Sequence, residues 1–538
     1  MAFTMPPMST PALAAASMLL PALLLFVVAL LRPHRTSRQG SLPPGPAGLP
    51  VIGNMHQMLL NKPVFRWMHR LLAEHGGGEG EIVCVRLGPV HVIAVSSPEM
   101  AREVLRKNDA VFADRPRTFA AEAFSVGYRS ASISPYGDQW RKMRRVLTAE
   151  ILSPFTEHRL RAARDDEADH LLRHVYLLAT APVVDVRHVA RHFCGNVIRR
   201  LTFGRRHFRQ PAPADGAPRR EEAEHVDALF ATLNYLDAFC VSDYFPALVG
   251  LDLDGHEKVV RSIMATLTRL HDPIVEERVE EWRLLRKAGE TRDVADFLDV
   301  LASLDNDAGQ PLLTVEEIKA QTIDIMIATV DNPSNAVEWA LAEMVKKPEV
   351  MRKAMDELDA VVGRERLVQE RDVRGLNYLK ACLREAFRLH PYHPFNPPRV
   401  AMADATIAGY TVPRGSQVVL SRVGLGRNPR VWGHDALVFR PERHLDDADA
   451  NVSLTEAELR FVSFSTGRRG CPGVSLGTLI TVMLFARLLQ GFEWSESEAD
   501  GTGVELREAE ESLVLARPLL LRAKPRLPAH LYAYAGVN

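Results

Sequence analysis

The chain has 538 residues, room for three or four domains at roughly 150 residues each, and its 66 Lys and Arg against 67 Asp and Glu leave a net charge of −1. That balance argues against a nucleic-acid binder, which carries a basic excess or stripe, and 46% hydrophobic with 25% charged residues excludes general disorder. The five cysteines, Cys84, Cys194, Cys240, Cys382 and Cys471, form no C-x-x-C pair, so neither a disulfide scaffold nor a sequence-local zinc finger is expected.

Ala12 to Leu31 is an uncharged run interrupted by Ser17 and Pro21, long enough as a helix to cross a hydrocarbon core of roughly 30 Å. Arg32, Arg35 and Arg38 follow it and no charge precedes it, which places the start in the lumen and the remainder in the cytosol. A cleaved signal peptide would need a basic start and a shorter apolar run. Residues 32–50 then read as a basic, proline-rich hinge, with Leu42 to Pro50 a stiff spacer. The sequon Asn451-Val452-Ser453 would face the cytosol and stay unmodified.

Ile82–Leu87 and Val90–Val95 flank Gly88-Pro89 as a hairpin, and a second hairpin is read over Thr406–Leu420 with its turn at Pro413-Arg414-Gly415. Between about 98 and 390 the pattern is mostly helical, apart from a Pro- and Ala-rich loop at Gln210–Arg220, and short apolar runs return at Leu513–Leu521. The fold class is therefore mainly α with a minor sheet drawn from both ends of the chain. One helix opens at Thr314 with Glu317 as a capping box, and is apolar nearly all round at Ile323–Ala328. Pro333 removes a donor within it and should kink or open it. Another spans about Tyr378–His390, with Leu379, Cys382, Leu383, Ala386 and Phe387 on one stripe.

The segment from Phe464 to Gly473 carries the chemistry. Its glycines permit a tight loop, an apolar helix starts at about Val474, and Cys471 stands before that helix beside Arg468 and Arg469. The helix dipole and the arginines favour a thiolate there, and a thiolate can ligate iron. Gly473-Val474-Ser475-Leu476-Gly477 also satisfies G-x-S-x-G, but a nucleophile elbow needs a strand running into the serine, and none precedes Ser475.

Phe464, Gly467, Arg469, Cys471 and Gly473 match F-x-x-G-x-R-x-C-x-G, so the segment resembles the haem-ligand loop of the cytochrome P450 family. Trp140 to Arg144 resembles W-x-x-x-R, Glu385 to Arg388 resembles E-x-x-R, and Pro441-Glu442-Arg443-His444 resembles the P-E-R motif, all in family order. The resemblance implies haem b (iron protoporphyrin IX) with Cys471 as thiolate ligand and Trp140, Arg144 and Arg469 at its propionates. It also implies a buried ion network of Glu385, Arg388 and Arg443, and dioxygen with NADPH electrons delivered by a separate reductase. One catalytic domain over 51–538 follows, which overrules the count from length, with the anchor at 1–31 holding it on the endoplasmic reticulum membrane, facing the cytosol.

Members of the family usually carry an acid and a threonine in the long core helix. This chain has Asp331 followed by Asn332 and Pro333. Asn332 donates a hydrogen bond but relays protons poorly. Asp331 and Asn332 are read as ordering dioxygen, water and substrate. Thr329 to Ala340 and Ser421 to Trp432 are similar to the plant amino-acid N-monooxygenases, which turn an L-amino acid into its aldoxime by two N-hydroxylations, dehydration and decarboxylation. An aromatic substrate (Phe, Tyr or Trp) is preferred by that resemblance, although Arg399 stands where the subfamily usually has His. A carboxylate partner is needed for such a substrate; Arg129 is the first candidate and Arg399 the second. Hydroxylation of another small metabolite, a reductase-independent haem-thiolate isomerase or dehydratase, a serine hydrolase using Ser475, and a non-catalytic haem carrier remain as alternatives.

Overall fold

The computed structural model describes residues 41–75, 81–208, 218–445, 451–497 and 503–533. The apolar run Ala12–Leu31, the basic part of the hinge and most of the Gln210–Arg220 loop lie outside the described residues. The described end of the hinge is not a free spacer. Pro44 accepts a hydrogen bond from Cys84 N–H at 2.8 Å, and a Cβ on Gly45 would lie 1.9 Å from the Cys84 carbonyl. The proline-rich stretch docks on a sheet edge because prolines lack donors yet keep their carbonyl acceptors.

Strands β1 (Ile82–Leu87) and β2 (Val90–Val95) form the antiparallel hairpin around Gly88. Two strands from the far end of the chain, β3 (Arg399–Val400) and β4 (Gln417–Leu420), complete that sheet in the order β1-β2-β4-β3, with β2 and β4 parallel. The second hairpin differs from the sequence expectation. Ala405–Ile407 pairs with Tyr410–Val412 around Ala408 and Gly409, both at positive φ, while Pro413 to Gly415 leads into β4. Alternation marks the strands but cannot tell a hairpin partner from a distant one.

Helices α1 (Asp138–Val146), α2 (Val186–Phe203), α3 (Val315–Val345), α4 (Asn377–Leu389) and α5 (Val474–Gly491) make the helical body. α3 is its axis, buried on almost every face and packed on α2, α4 and α5. It starts at the capping box: Glu317 N–H donates to Thr314 Oγ1 at 3.2 Å, and Thr314 N–H donates to Glu317 Oε2 at 2.8 Å. The helix runs unbroken through Pro333. α5 is apolar and long enough to cross a membrane, but it is a core helix with most of its residues buried.

Behind the site, Glu385 collects four donors. Arg388 meets it with two bonds of 2.7 Å, Arg443 Nε with one of 2.9 Å, His444 Nε2 with one of 2.8 Å, and the Arg440 N–H with one of 3.0 Å. Arg388 also donates to the carbonyls of Gly426 and Ala436, which ties α4 to the chain leading toward the cysteine loop. Burial would raise the Glu385 carboxyl, yet the bonds from Arg388 and His444 hold it down to about 2 from 4.5. Its contribution to stability is therefore complete above pH 4.5 and is lost as pH falls toward 2. Glu385→Gln should leave two buried guanidiniums without their counter-charge and cost about 3–5 kcal/mol in urea titrations. The variant should also lack the part of the wild-type acid sensitivity that arises in that pH window.

Candidate active site

The Phe464–Gly473 loop sits between the β-sheet side and α5. Cys471 N–H donates to the Phe464 carbonyl at 2.8 Å and Gly470 N–H to Gly467 at 2.9 Å, closing a compact turn. Gly467 has φ +75°, and a Cβ there would lie 2.3 Å from Asp109 Oδ1. Only glycine lets the loop approach that carboxylate so closely. Asp109 then binds Arg468 through its N–H at 3.0 Å and its guanidinium at 2.7 Å, pinning the loop in place. The Phe464 ring packs against Phe387 of α4 at 5.9 Å.

Cys471 is exposed only to an internal cavity that the loop shares with α1, α3 and the segment from Pro391 to Arg399. The sequence reading, that dipole and arginines favour a thiolate, needs correction for the protein alone. Burial pushes the Cys471 thiol up, outweighing the lowering by the Gly473 N–H, Arg144 and Arg422. A bound metal cation reverses that balance, since a coordinated thiol is deprotonated outright.

Around this sulfur the polar groups are arranged for an anionic guest. Arg469 donates to the carbonyls of Ala113 at 2.6 Å and Ser134 at 2.8 Å, while its third nitrogen, Nη1, is buried without a partner. Burial and the neighbouring Arg115 pull its guanidinium down to about 8. The Arg469 group lies 4.7 Å over the Trp140 ring, and Trp140 Nε1 is also buried and unpartnered. Arg144 donates to the Gly470 carbonyl at 2.7 Å and lines the same cavity. Orphaned donors and an uncompensated buried cation beside a cavity-facing sulfur fit an iron porphyrin with carboxylate arms.

The other sequence candidates fall in different places. Asn332 lines the cavity together with Ala328, Thr329 and Pro333. Because Pro333 has no N–H, the Thr329 carbonyl has no intrahelical donor, so α3 offers an open acceptor on the cavity side. The Asp331 carboxylate does not line the cavity. It is fully buried, both oxygens lack a hydrogen bond, and burial raises it well above the usual carboxylate range, with Arg191 and Tyr392 as its polar neighbours. Arg129 is exposed, donates to its own neighbour Val126 and stays outside the cavity, so it is not the carboxylate partner. Arg399 reaches the cavity but is committed to Asp109 at 3.4 Å and to the Thr466 carbonyl at 3.2 Å. Ser475 Oγ donates to Glu157 at 2.8 Å in the first turn of α5, without a histidine, which removes the hydrolase reading.

Sequence reasoning missed Asp109, Arg115, Arg422 and Asp237. The last three line the cavity; Arg422 falls in the Ser421 to Trp432 stretch noted for its resemblance, which gave the residue no role, and the others belong to no recognisable motif. His444, a donor to the Glu385 network, was visible only as the end of the P-E-R-H stretch.

A helical body on a small sheet, with a cysteine loop opening on a haem-shaped cradle, defines a haem-thiolate protein. The chain belongs to the cytochrome P450 family, whose profile matches residues 43–521. It is 58% identical to tyrosine N-monooxygenase of Sorghum bicolor over 537 residues, covering 95% of this chain and 94% of that protein. It is 51% identical to tryptophan N-monooxygenase 1 of Arabidopsis thaliana over 492 residues (91% and 89%) and 48% to valine N-monooxygenase 1 of Manihot esculenta over 497 residues (92% and 90%).

Cys471→Ser should fold with wild-type circular dichroism yet lose the reduced carbon-monoxide band of thiolate ligation and all turnover. Gly467→Ala should displace the loop from Asp109, and its haem content per chain, read by pyridine haemochrome, should fall to a small fraction of wild type.

Proposed function

We propose that this protein is an amino-acid N-monooxygenase that converts an L-amino acid, with an aromatic one preferred, into its aldoxime. The reading is carried by a cradle that fits haem, joined to a cavity whose α3 wall presents Asn332 and Pro333 beside Thr329. The curated relatives, named for N-oxidation of tyrosine, tryptophan and valine, support the reaction class.

When bound, haem supplies oxidation by dioxygen, with electrons from NADPH through a reductase. The protein's residues do the rest. Cys471 would hold the iron through sulfur, and Arg469, Arg144 and Trp140 would receive the propionates. Asn332 donates from its amide to water or substrate, and the Thr329 carbonyl accepts a proton-bearing group beside it. Asp331 stays buried in the same helix, where burial raises its carboxyl well above the usual range.

We place the protein on the endoplasmic reticulum membrane with the catalytic domain in the cytosol. The run Ala12–Leu31 supports this reading, as does an apolar rim. Leu60 is 82% exposed and Leu251 63%, and Leu49, Val51, Leu59 and Val249 are exposed with them. The helix Met55–Leu60 and the turn Pro246–Leu248, which neighbour most of these residues in the chain, pack into one cluster through Met55, Met58 and Leu248.

Incubating the purified protein with reductase and NADPH against each of the twenty amino acids should yield an oxime from one or a few of them. Oxime formation should stop without NADPH. Product that forms without NADPH or reductase would instead indicate a haem-thiolate isomerase or dehydratase.

A further inference from the structure

Five arginines line the cavity: Arg115, Arg144, Arg399, Arg422 and Arg469. Arg144 and Arg469 belong to the haem cradle, and Arg399 is committed to Asp109 and to main-chain carbonyls. Arg115 uses Nη1 to bridge the carbonyls of Pro397 and Pro398 at 2.6 and 2.7 Å, fastening the cavity wall. Arg422 is different. It opens the short helix Arg422–Gly426 and donates through Nε alone, to Asn396 Oδ1 at 2.6 Å. Its two terminal nitrogens bond to no protein atom among the described residues, and the bond to Asn396 fixes the plane of the fork.

Asp237 stands near it, as the C-cap of the helix Arg220–Leu236. A carboxylate at a helix C-terminus opposes the dipole, and this one accepts no hydrogen bond among the described residues. Burial pushes it up to about 6, against the lowering effect of Arg115 and Arg422. Burial also pulls Arg422 down to about 10, and Asp237 and the Cys471 sulfur act in the other direction. Arg422 and Asp237 both line the cavity on which Cys471 opens.

We propose that Arg422 binds the α-carboxylate of the substrate through its free guanidinium fork. A planar fork matches a carboxylate with two parallel bonds. The α-amino nitrogen is only two bonds from the carboxylate carbon, so anchoring at Arg422 confines the nitrogen to the cavity that Cys471 and the haem cradle share. The inference rests on the reading of the substrate as an amino acid.

The test is calorimetric titration of the haem-loaded protein with three probes: L-tyrosine, tyramine, which lacks the carboxylate, and 3-(4-hydroxyphenyl)propionate, which lacks the amine. If tyrosine is not the substrate, the active amino acid and its two counterparts are used instead. Arg422→Gln should weaken both carboxylate-bearing probes roughly tenfold to a hundredfold, as expected for a hydrogen-bonded charge pair, and leave the amine nearly unchanged. Arg422→Lys should recover part of that loss. Asn396→Ala, which frees the fork while keeping its charge, should give the same pattern at smaller amplitude and serves if Arg422→Gln does not retain haem. Equal weakening of all three probes, or of none, overturns the assignment. A wild-type protein that binds no amino acid at all overturns the proposed function instead.

Discussion

An excess of buried positive charge governs this protein. Five arginines line one cavity, facing three aspartates, and burial pushes Asp237, Asp243 and Asp324 up to about 6, 7 and 6. Guanidiniums do not give up their protons readily, so the fold is electrostatically incomplete by itself. Anions would complete it: the carboxylates of a bound porphyrin beside Arg469 and Arg144, and the carboxylate proposed for the substrate. Binding of cofactor and substrate is thus the settling of a charge imbalance built into the folded chain.

The scaffold keeps that imbalance from collapsing onto the protein. Each cavity arginine has part of its donor set tied to something rigid: a main-chain carbonyl for Arg115, Arg144, Arg399 and Arg469, the Asn396 amide for Arg422. Free donors are then aimed rather than loose. Asp109 performs the matching task for the cysteine loop, and its closeness is possible only because position 467 has no side chain. Farther out, the Glu385 network balances buried charge internally, and there the chain needs no guest.

The long core helix shows the same division of labour. An ordinary residue at 333 would close the Thr329 carbonyl with its N–H, and the proline leaves that acceptor open on the cavity side. Asp331 is not among the residues that line the cavity and stays buried beside Arg191 and Tyr392. Two adjacent residues of one helix therefore serve different surroundings, which the roughly 100° turn per residue allows.

The sequence by itself determined the helical class, the β1–β2 hairpin, the capping box at Thr314 and Glu317, and the loop around Cys471, because each is written in a local pattern of spacing or periodicity. It also named Glu385, Arg388 and Arg443 as partners by resemblance. Only the tertiary structure decided that β4 pairs with β2, that the proline-rich stretch docks on β1, that Arg129 stays outside, and that Arg422 and Asp237 meet in the cavity. Those outcomes depend on segments as distant as residues 237 and 422 meeting in space. Pairing across such separations is set by packing and by the cost of burying charge, neither of which leaves a mark in the neighbouring sequence.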